Sequence, residues 1–251
     1  GSRLTVGGNA SIGSGYTSNS APTNGLIVEG NVGIGTDSPE RKLHVQSGSA
    51  GSVTSSSEAD LVVESNDHTA INLLTPDNKQ SAIYFGTVSD NIGGGVYWNY
   101  SSKQLTIATL TTSGGDIGFR AGNNSEKMRI LANGNVGIGV TAPDAKLHIA
   151  DTNKALNSEG NLFVATTDAV AIDKGGQISL GGVWHSTPLT IEFAAIAGRK
   201  ANSTNGSAGG YLQLSTSLSA GGTMTEKMRI TQDGNVGIGT DSPNAPLQIA
   251  S

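Results

Sequence analysis

The side chains of this chain with the widest chemical range are four histidines and 20 aspartates and glutamates, since cysteine is absent. The lack of cysteine excludes disulfides, thiolate metal ligands and a cysteine nucleophile. His44 and His148 occupy the same position in two copies of a repeat, so a threefold axis could gather equivalent imidazoles into a metal or anion ring. The third copy carries Gln248 there, which favours histidines that face solvent. We therefore predict no metal site.

Carboxylate pairs are the second chemistry to consider, because glycan hydrolysis needs two such groups about 5–10 Å apart. Six acidic residues are candidates for such a pair: Asp60, Glu64, Asp67, Asp168, Asp173 and Glu192. None has a distinguishing sequence context, and we interpret most of them as solvated strand or turn residues. The nucleotide-binding, zinc-protease, serine-hydrolase and EF-hand motifs are all missing. The sequence predicts no enzyme and no cofactor.

Aromatic residues are only 4% of the chain, so two local groups of them are informative. An aromatic ring beside polar turn residues suits a sugar, which offers apolar C–H groups and hydroxyls together. The alternative, in a chain this poor in large side chains, is that the same rings anchor a small core or a subunit interface. We favour this second interpretation. The candidate glycan contacts are Tyr97, Trp98, Tyr100, Trp184 and His185.

The composition indicates that the fold needs an extra source of burial. Glycine contributes 36 of 251 residues, whereas Leu, Ile, Val and Phe together contribute 55, which is close to the ~20% where disorder begins. The net charge of −5 does not force disorder. Oligomerisation is the expected source of burial. An isoelectric point near 5.3 with scattered Lys and Arg predicts no nucleic-acid partner, and no apolar run is long enough for membrane insertion.

A repeat organises the chain. The hexapeptide GNVGIG occurs three times, with its asparagine at Asn31, Asn135 and Asn235, and the last two copies follow an identical EKMRI. A turn with proline and a short alternating segment (KLHV, KLHI or PLQI) come next, which predicts strand, turn and strand. A weaker echo, LTVGGNASIGSG, begins at Leu4.

The alternation of Val/Ile with glycine predicts how the hexapeptide packs. Residues two apart share a face of a strand, so Val136 and Ile138 lie together and Gly137 lies opposite. Glycine inside a strand is costly unless another backbone approaches closely, and three chains around an axis would supply that approach. Six such side chains in one layer could contribute on the order of 9–18 kcal/mol, as an upper bound. The predicted trimer core is Val32, Ile34, Val136, Ile138, Val236 and Ile238.

Five segments follow from this pattern. Stem regions at 1–46, 126–150 and 226–251 alternate with β modules at 47–125 and 151–225. Both modules carry short alternating runs separated by Gly, Asn and Ser turns, which predicts a β-sandwich or prism, with AIYFG at Ala82 corresponding to QISLG at Gln177. A helical turn is expected only near Asp151–Leu156. The predicted fold class is all-β, as an elongated parallel homotrimer.

The string GNVGIGT-x-x-P-x-x-x-L-x-V/I, with the EKMRI lead-in, resembles the stem repeats of bacteriophage tail fibres and tailspikes that precede an endosialidase-like intramolecular chaperone. The resemblance covers most of residues 26–251. It departs from the family at the C-terminus, because no chaperone sequence follows the last repeat; a trimmed chain or self-cleavage near Ser251 would explain that.

The resemblance implies a homotrimer in the virion tail that serves host attachment without catalysis. Its partners would be two further copies of itself, other tail-fibre components and a host cell-surface glycan or protein. Two alternatives remain open: a glycan-binding module with its own receptor site, and a capsule depolymerase or bacterial trimeric adhesin.

Overall fold

The computed structural model describes residues 8, 10–16, 21–23, 25–52, 54–111, 114–155, 160–187, 189–218 and 223–250. Across these residues the chain is almost entirely strand and turn, with one short 3-10 helix at Ser14–Tyr16. The all-β fold class is confirmed. The helical turn expected near Asp151 is wrong for residues 151–155, which form no helix, and residue 156 lies outside the described ranges. The chain divides into two compact units, residues 1–110 and 111–251.

The first unit contains eight strands in three small sheets within its described residues. Its strands are β1 Ala10–Ile12, β2 Leu26–Val28, β3 Val32–Ile34, β4 Leu43–Gln46, β5 Leu61–Glu64, β6 Gln80–Phe85, β7 Gly94–Asn99 and β8 Gln104–Thr109. Strands β1 and β2 pair in parallel, and so do β3, β4 and β5 in that order. Strands β6, β7 and β8 form an antiparallel meander. The strand β1 contains part of the weak echo; Leu4 lies outside the described residues.

The second unit contains ten strands in two sheets among the residues that the structure describes. Its strands are β9 Ile117–Ala121, β10 Ser125–Ile130, β11 Val136–Ile138, β12 Leu147–Ile149, β13 Gln177–Val183, β14 Thr190–Lys200, β15 Gly210–Ser217, β16 Met224–Ile230, β17 Val236–Ile238 and β18 Leu247–Ile249. The sheet orders are β12-β11-β10-β9 and β13-β14-β15-β16-β17-β18. The six-stranded sheet contains residues from both sides of the boundary predicted at 225–226. The third repeat therefore belongs to the same sheet as module two.

The strand positions follow the sequence patterns, but the described residues form no β-sandwich, and the alternative of a prism stays a prediction. The alternating runs predicted at Ala82 and Gln177 coincide with the strands Gln80–Phe85 and Gln177–Val183. A β-sandwich would cover one face of each sheet with a second sheet, yet large apolar side chains on both module sheets are exposed. The chain therefore forms single sheets that lack a partner layer in the part that the structure describes.

The buried core of the chain is very small. Its buried apolar residues among those described are Ala21, Ala195, Ala197 and Tyr211. The accessible surface is 18190 Å², whereas two compact units of these lengths would together expose about 12,500 Å². Folding of one chain thus removes only about half of the roughly 37,000 Å² that the unfolded chain exposes. A single chain does not bury enough apolar surface for an ordinary globular domain.

Candidate functional site

The three GNVGIG copies fold into the same local structure, which we call the stem motif (residues 30–46, 134–150 and 234–250). In each copy the VGI strand runs parallel to the strand that follows the proline turn. The pairs are Val32 with Leu43, Val136 with Leu147 and Val236 with Leu247. In the second and third copies the VGI strand also pairs antiparallel with the EKMRI strand before it. The predicted strand–turn–strand unit is therefore confirmed in all three copies.

The asparagine of GNVGIG closes the turn of the stem motif. Its side-chain amide donates a hydrogen bond to the carbonyl oxygen of the turn proline eight residues later. The distances are 3.2 Å for Asn31 to Pro39, 3.1 Å for Asn135 to Pro143 and 3.3 Å for Asn235 to Pro243. This bond ties the eight-residue connection to the first strand and so fixes the start of the second. Sequence reasoning gave this asparagine no role, although its identity in all three copies was the available signal.

Contacts within one chain explain why the middle residue of VGI is glycine. An added Cβ on Gly237 would lie 2.5 Å from the carbonyl oxygen of Thr240, and one on Gly137 would overlap the carbonyl oxygen of Val140. The next glycine, Gly139, has a φ of 72°, which side chains rarely adopt. The chain's own backbone therefore lies against Gly137 and Gly237, and the close approach of neighbouring chains at these glycines stays a prediction.

The histidine position of the repeat is a hydrogen-bond acceptor for the same turn. Nδ1 of His44 and of His148 accepts the backbone N–H of the residue four positions earlier, at 3.4 Å in both cases. In the third copy Oε1 of Gln248 accepts the N–H of Asn244 at 2.9 Å. Glutamine and histidine are interchangeable in this role, which explains Gln248 without a metal.

His44 departs from the solvent-facing position that the sequence predicts. It is 2% exposed, and its Nε2 lies 3.0 Å from Oε2 of Glu64 on β5. Glu64 also accepts the N–H of Ala50 at 2.6 Å, and this bond, more than that to His44, holds the pKa of Glu64 below its usual value. The pair joins the first stem motif to the strand that follows it. No group of three or more potential metal ligands forms among the described residues.

Two residues unique to the first copy explain why a third parallel strand follows it. Arg41 donates to the carbonyl oxygens of Ser55 at 2.6 Å and Ser56 at 2.7 Å, while Glu40 accepts the N–H of Ser55 at 2.7 Å. These bonds return the chain to pair β5 with β4. The corresponding positions of the other copies, Asp144–Ala145 and Asn244–Ala245, lack the arginine.

The six predicted core residues lie in apolar rows that run across their sheets. In the sheet β9–β12, one row runs Phe119, Met128, Ile138 and Ile149, and the next runs Ile117, Ile130, Val136 and Leu147. In the six-stranded sheet the corresponding row is Ile178, Ile196, Leu214, Met228, Ile238 and Ile249. The VGI isoleucines are each more than a third exposed, so one chain leaves these faces uncovered.

The opposite faces carry the charged side chains of EKMRI. Arg129 forms a bidentate pair with Glu126 at 2.7 and 2.8 Å and reaches Asp116 at 3.0 Å. The bond from Arg129 holds the pKa of Glu126 below its usual value. Arg229 and Glu226 repeat the pair in the third copy, with Arg229 Nη2 at 2.7 Å from the carboxylate. Each sheet is therefore two-sided, with one apolar and one polar face.

A polar cavity of about 400 Å³ opens on the polar face of the six-stranded sheet. Tyr211 lies at its base, 7% exposed, with the guanidinium of Arg229 stacked 4.1 Å from its ring centroid. Its hydroxyl donates to Asp173 at 2.6 Å, and burial together with this bond raises its pKa to about 12. Arg199 donates hydrogen bonds to the carbonyl oxygen of Gly175 and to the side-chain oxygens of two glutamines of the sheet. The polar side chains of this cavity satisfy one another and hold residues 173–177 against the sheet.

The six candidate carboxylates differ in their contacts, and two of them, Asp168 and Asp173, line the polar cavity. Glu64 is bonded to His44, Asp173 to Tyr211, and Asp168 lies 3.7 Å from Lys174. The remaining three, Asp60, Asp67 and Glu192, are exposed, and Asp67 contacts only its neighbour His68 among the described ion pairs.

The predicted aromatic group of module one is divided by its strand. Tyr97 and Trp98 are adjacent in β7, so their side chains lie on opposite faces of the sheet. Trp98 pairs with Leu105 on the apolar face, and Tyr97 pairs with Thr106 on the other. Tyr100 lies in the following turn beneath Lys103, whose ammonium is 2.9 Å from the ring centroid. These three rings do not form one binding surface.

The other aromatic pair stays together. Trp184 and His185 lie in the turn after β13, with ring centroids 5.7 Å apart in an edge-to-face arrangement. Nδ1 of His185 interacts with the hydroxyl of Thr187 at 2.6 Å, and both rings are exposed. The assignment of these two residues as glycan contacts stays a prediction.

A scan against protein-family models and a comparison with curated proteins both found no match for this chain. Among the described residues, no helix has the length and apolarity needed to cross a membrane. The functional interpretation consequently depends on the geometry of the stem motifs and the two-sided sheets.

Proposed function

We propose that this chain is a structural segment of a homotrimeric fibre of the bacteriophage tail type, which contributes to host attachment without catalysis. Its partners are two further copies of the chain and neighbouring fibre components. The observation that carries the proposal is the uncovered apolar face of the three sheets that contain the stem motifs, which includes the Val and Ile of every copy.

The amount of uncovered surface supports assembly. One chain exposes nearly 6,000 Å² beyond the value expected for two compact units. A standard protein–protein interface takes about 800 Å² from each partner, so the excess is sufficient for several large contacts. Three copies around one axis bury the apolar faces inside and leave the charged EKMRI faces in solvent.

A pair of substitutions tests the proposal. Replacing Val136 and Ile138 together by asparagine places polar amides on the apolar face, whereas Thr141→Asn in the exposed turn of the same motif is the matched control. We expect the double variant to dissociate or to unfold at a clearly lower temperature, and the control to match the parent chain. Equal size and thermal stability of both variants would contradict the proposed axial core.

A receptor-binding role of this segment is a second candidate, which the exposed Trp184–His185 pair favours. A glycan array or host-cell binding assay with Trp184→Ala tests it. Loss of binding by a variant that still assembles supports a receptor site here, whereas absent binding by the assembled parent chain leaves the segment as a shaft. Release of oligosaccharide from host capsule would contradict the absence of catalysis.

A further inference from the structure

The antiparallel sheet β6–β8 carries no charged side chain on either face, and one of its faces is largely apolar. The register pairs Ile83 with Val96 and Val96 with Ile107, and it pairs Trp98 with Leu105. Because alternate residues share a face, Phe85 joins them, and the other positions of this face are a serine, a threonine and a glycine. We call this surface the Trp98 face.

The Trp98 face is uncovered in one chain. Leu105 is 65% exposed, Phe85 61% and Trp98 40%. With the two isoleucines, the exposed apolar area is on the order of 500 Å², which is near the upper end for an ordinary monomer surface. It amounts to more than half of the ~800 Å² that one partner contributes to a standard interface.

The side chains of the Trp98 face indicate what kind of molecule packs on it. A glycan site needs hydrogen-bonding groups around its aromatic ring, but the neighbours of Trp98 on this face are mainly aliphatic. A charged partner would find no counter-charge. A face that meets copies of itself across a symmetry axis must avoid charge, since like charges would meet at the axis. The opposite face is also uncharged but carries glutamine, asparagine and threonine side chains, so the Trp98 face is the one that combines absence of charge with apolar surface to bury.

We infer that the Trp98 face packs against the same face of two further copies of this chain. Trp98 is then an assembly contact, and Trp184 is left as the tryptophan that can meet a host molecule. The inference rests on the proposed trimer, but it goes further by naming the contact surface in the β6–β8 sheet and by removing Trp98 from the glycan candidates.

The chain has two tryptophans, which makes the test direct. In Trp184→Phe the fluorescence reports Trp98 alone, and in Trp98→Phe it reports Trp184 alone. In the assembled protein we expect Trp98 to emit at shorter wavelength and to be quenched by iodide several-fold less than Trp184. Trimers in which both tryptophans are quenched equally would overturn this inference and leave the proposed function standing. A monomer by light scattering would overturn both.

A matched pair of charge substitutions gives an independent result. Leu105 and Gln104 are adjacent in β8 and lie on opposite faces. We expect Leu105→Asp to raise the dissociation constant of the trimer at least tenfold, whereas Gln104→Asp should leave that constant unchanged. If the Leu105→Asp variant assembles as tightly as Gln104→Asp, the Trp98 face is not the contact.

Discussion

Replacing Gly137 by alanine tests whether the chain's own turn dictates the glycine of the stem motif. The new Cβ would overlap the carbonyl oxygen of Val140, and the equivalent atom on Gly237 would lie 2.5 Å from such an oxygen. The obstacle is backbone, so the turn from Val140 to Pro143 must move. Forced overpacking costs about 1–3 kcal/mol, and loss of the bond from Asn135 to Pro143 adds about 1 kcal/mol. We expect roughly 2–4 kcal/mol less stability per chain.

Gly118→Ala is the matched control for this substitution. Gly118 and Gly137 flank Arg129 on the same face of one sheet. An added Cβ on Gly118 meets only the flexible carboxylate end of Glu126, at 3.4 Å. Alanine there should change stability by less than about 1 kcal/mol, with a stabilising sign from the less flexible unfolded chain. Urea unfolding followed by circular dichroism compares the two variants. Equal midpoints would refute the argument that the turn lies against Gly137.

The remaining predictions concern the histidine position and the charged face. His148→Gln should stay within about 1 kcal/mol of the parent chain because Gln248 fills the same acceptor role, whereas His44→Leu should cost about 1–3 kcal/mol because it removes the partner of both the turn N–H and Glu64; urea midpoints compare them. Folding lowers the pKa of Glu126, so its contribution to stability is complete above the unfolded value of about 4.3 and is lost as the pH falls through the folded value. Midpoints measured from pH 7 to pH 3 should therefore fall less steeply for Glu126→Gln than for the parent chain, and identical slopes would contradict this role.

Much of the strand pattern was predictable from sequence because period-2 alternation and glycine-rich turns are local signals. Leu61–Glu64 and Gln104–Thr109 are examples. The same alternation also separates Tyr97 from Trp98, although the clustering of aromatic residues along the chain suggested one site. The missing second layer could not be predicted, because alternation shows that a face is apolar but not what covers it.

The structure of the stem motif was likewise predictable only in part from the sequence. Its repeated letters predicted strand, turn and strand, and the shared face of Val136 and Ile138. The bond that closes the turn joins residues eight apart (Asn135 with Pro143), and the bond that joins the first motif to β5 spans twenty residues (His44 with Glu64). Such bonds depend on the path of the loop, which local patterns in the amino-acid sequence do not specify.

The molar mass of the protein in solution tests the central claim most directly. Light scattering coupled to size exclusion, at low micromolar concentration and neutral pH, should give three times 25.4 kDa, about 76 kDa. The uncovered apolar faces would then be the contacts between copies. A mass of 25.4 kDa for the folded protein would contradict the account.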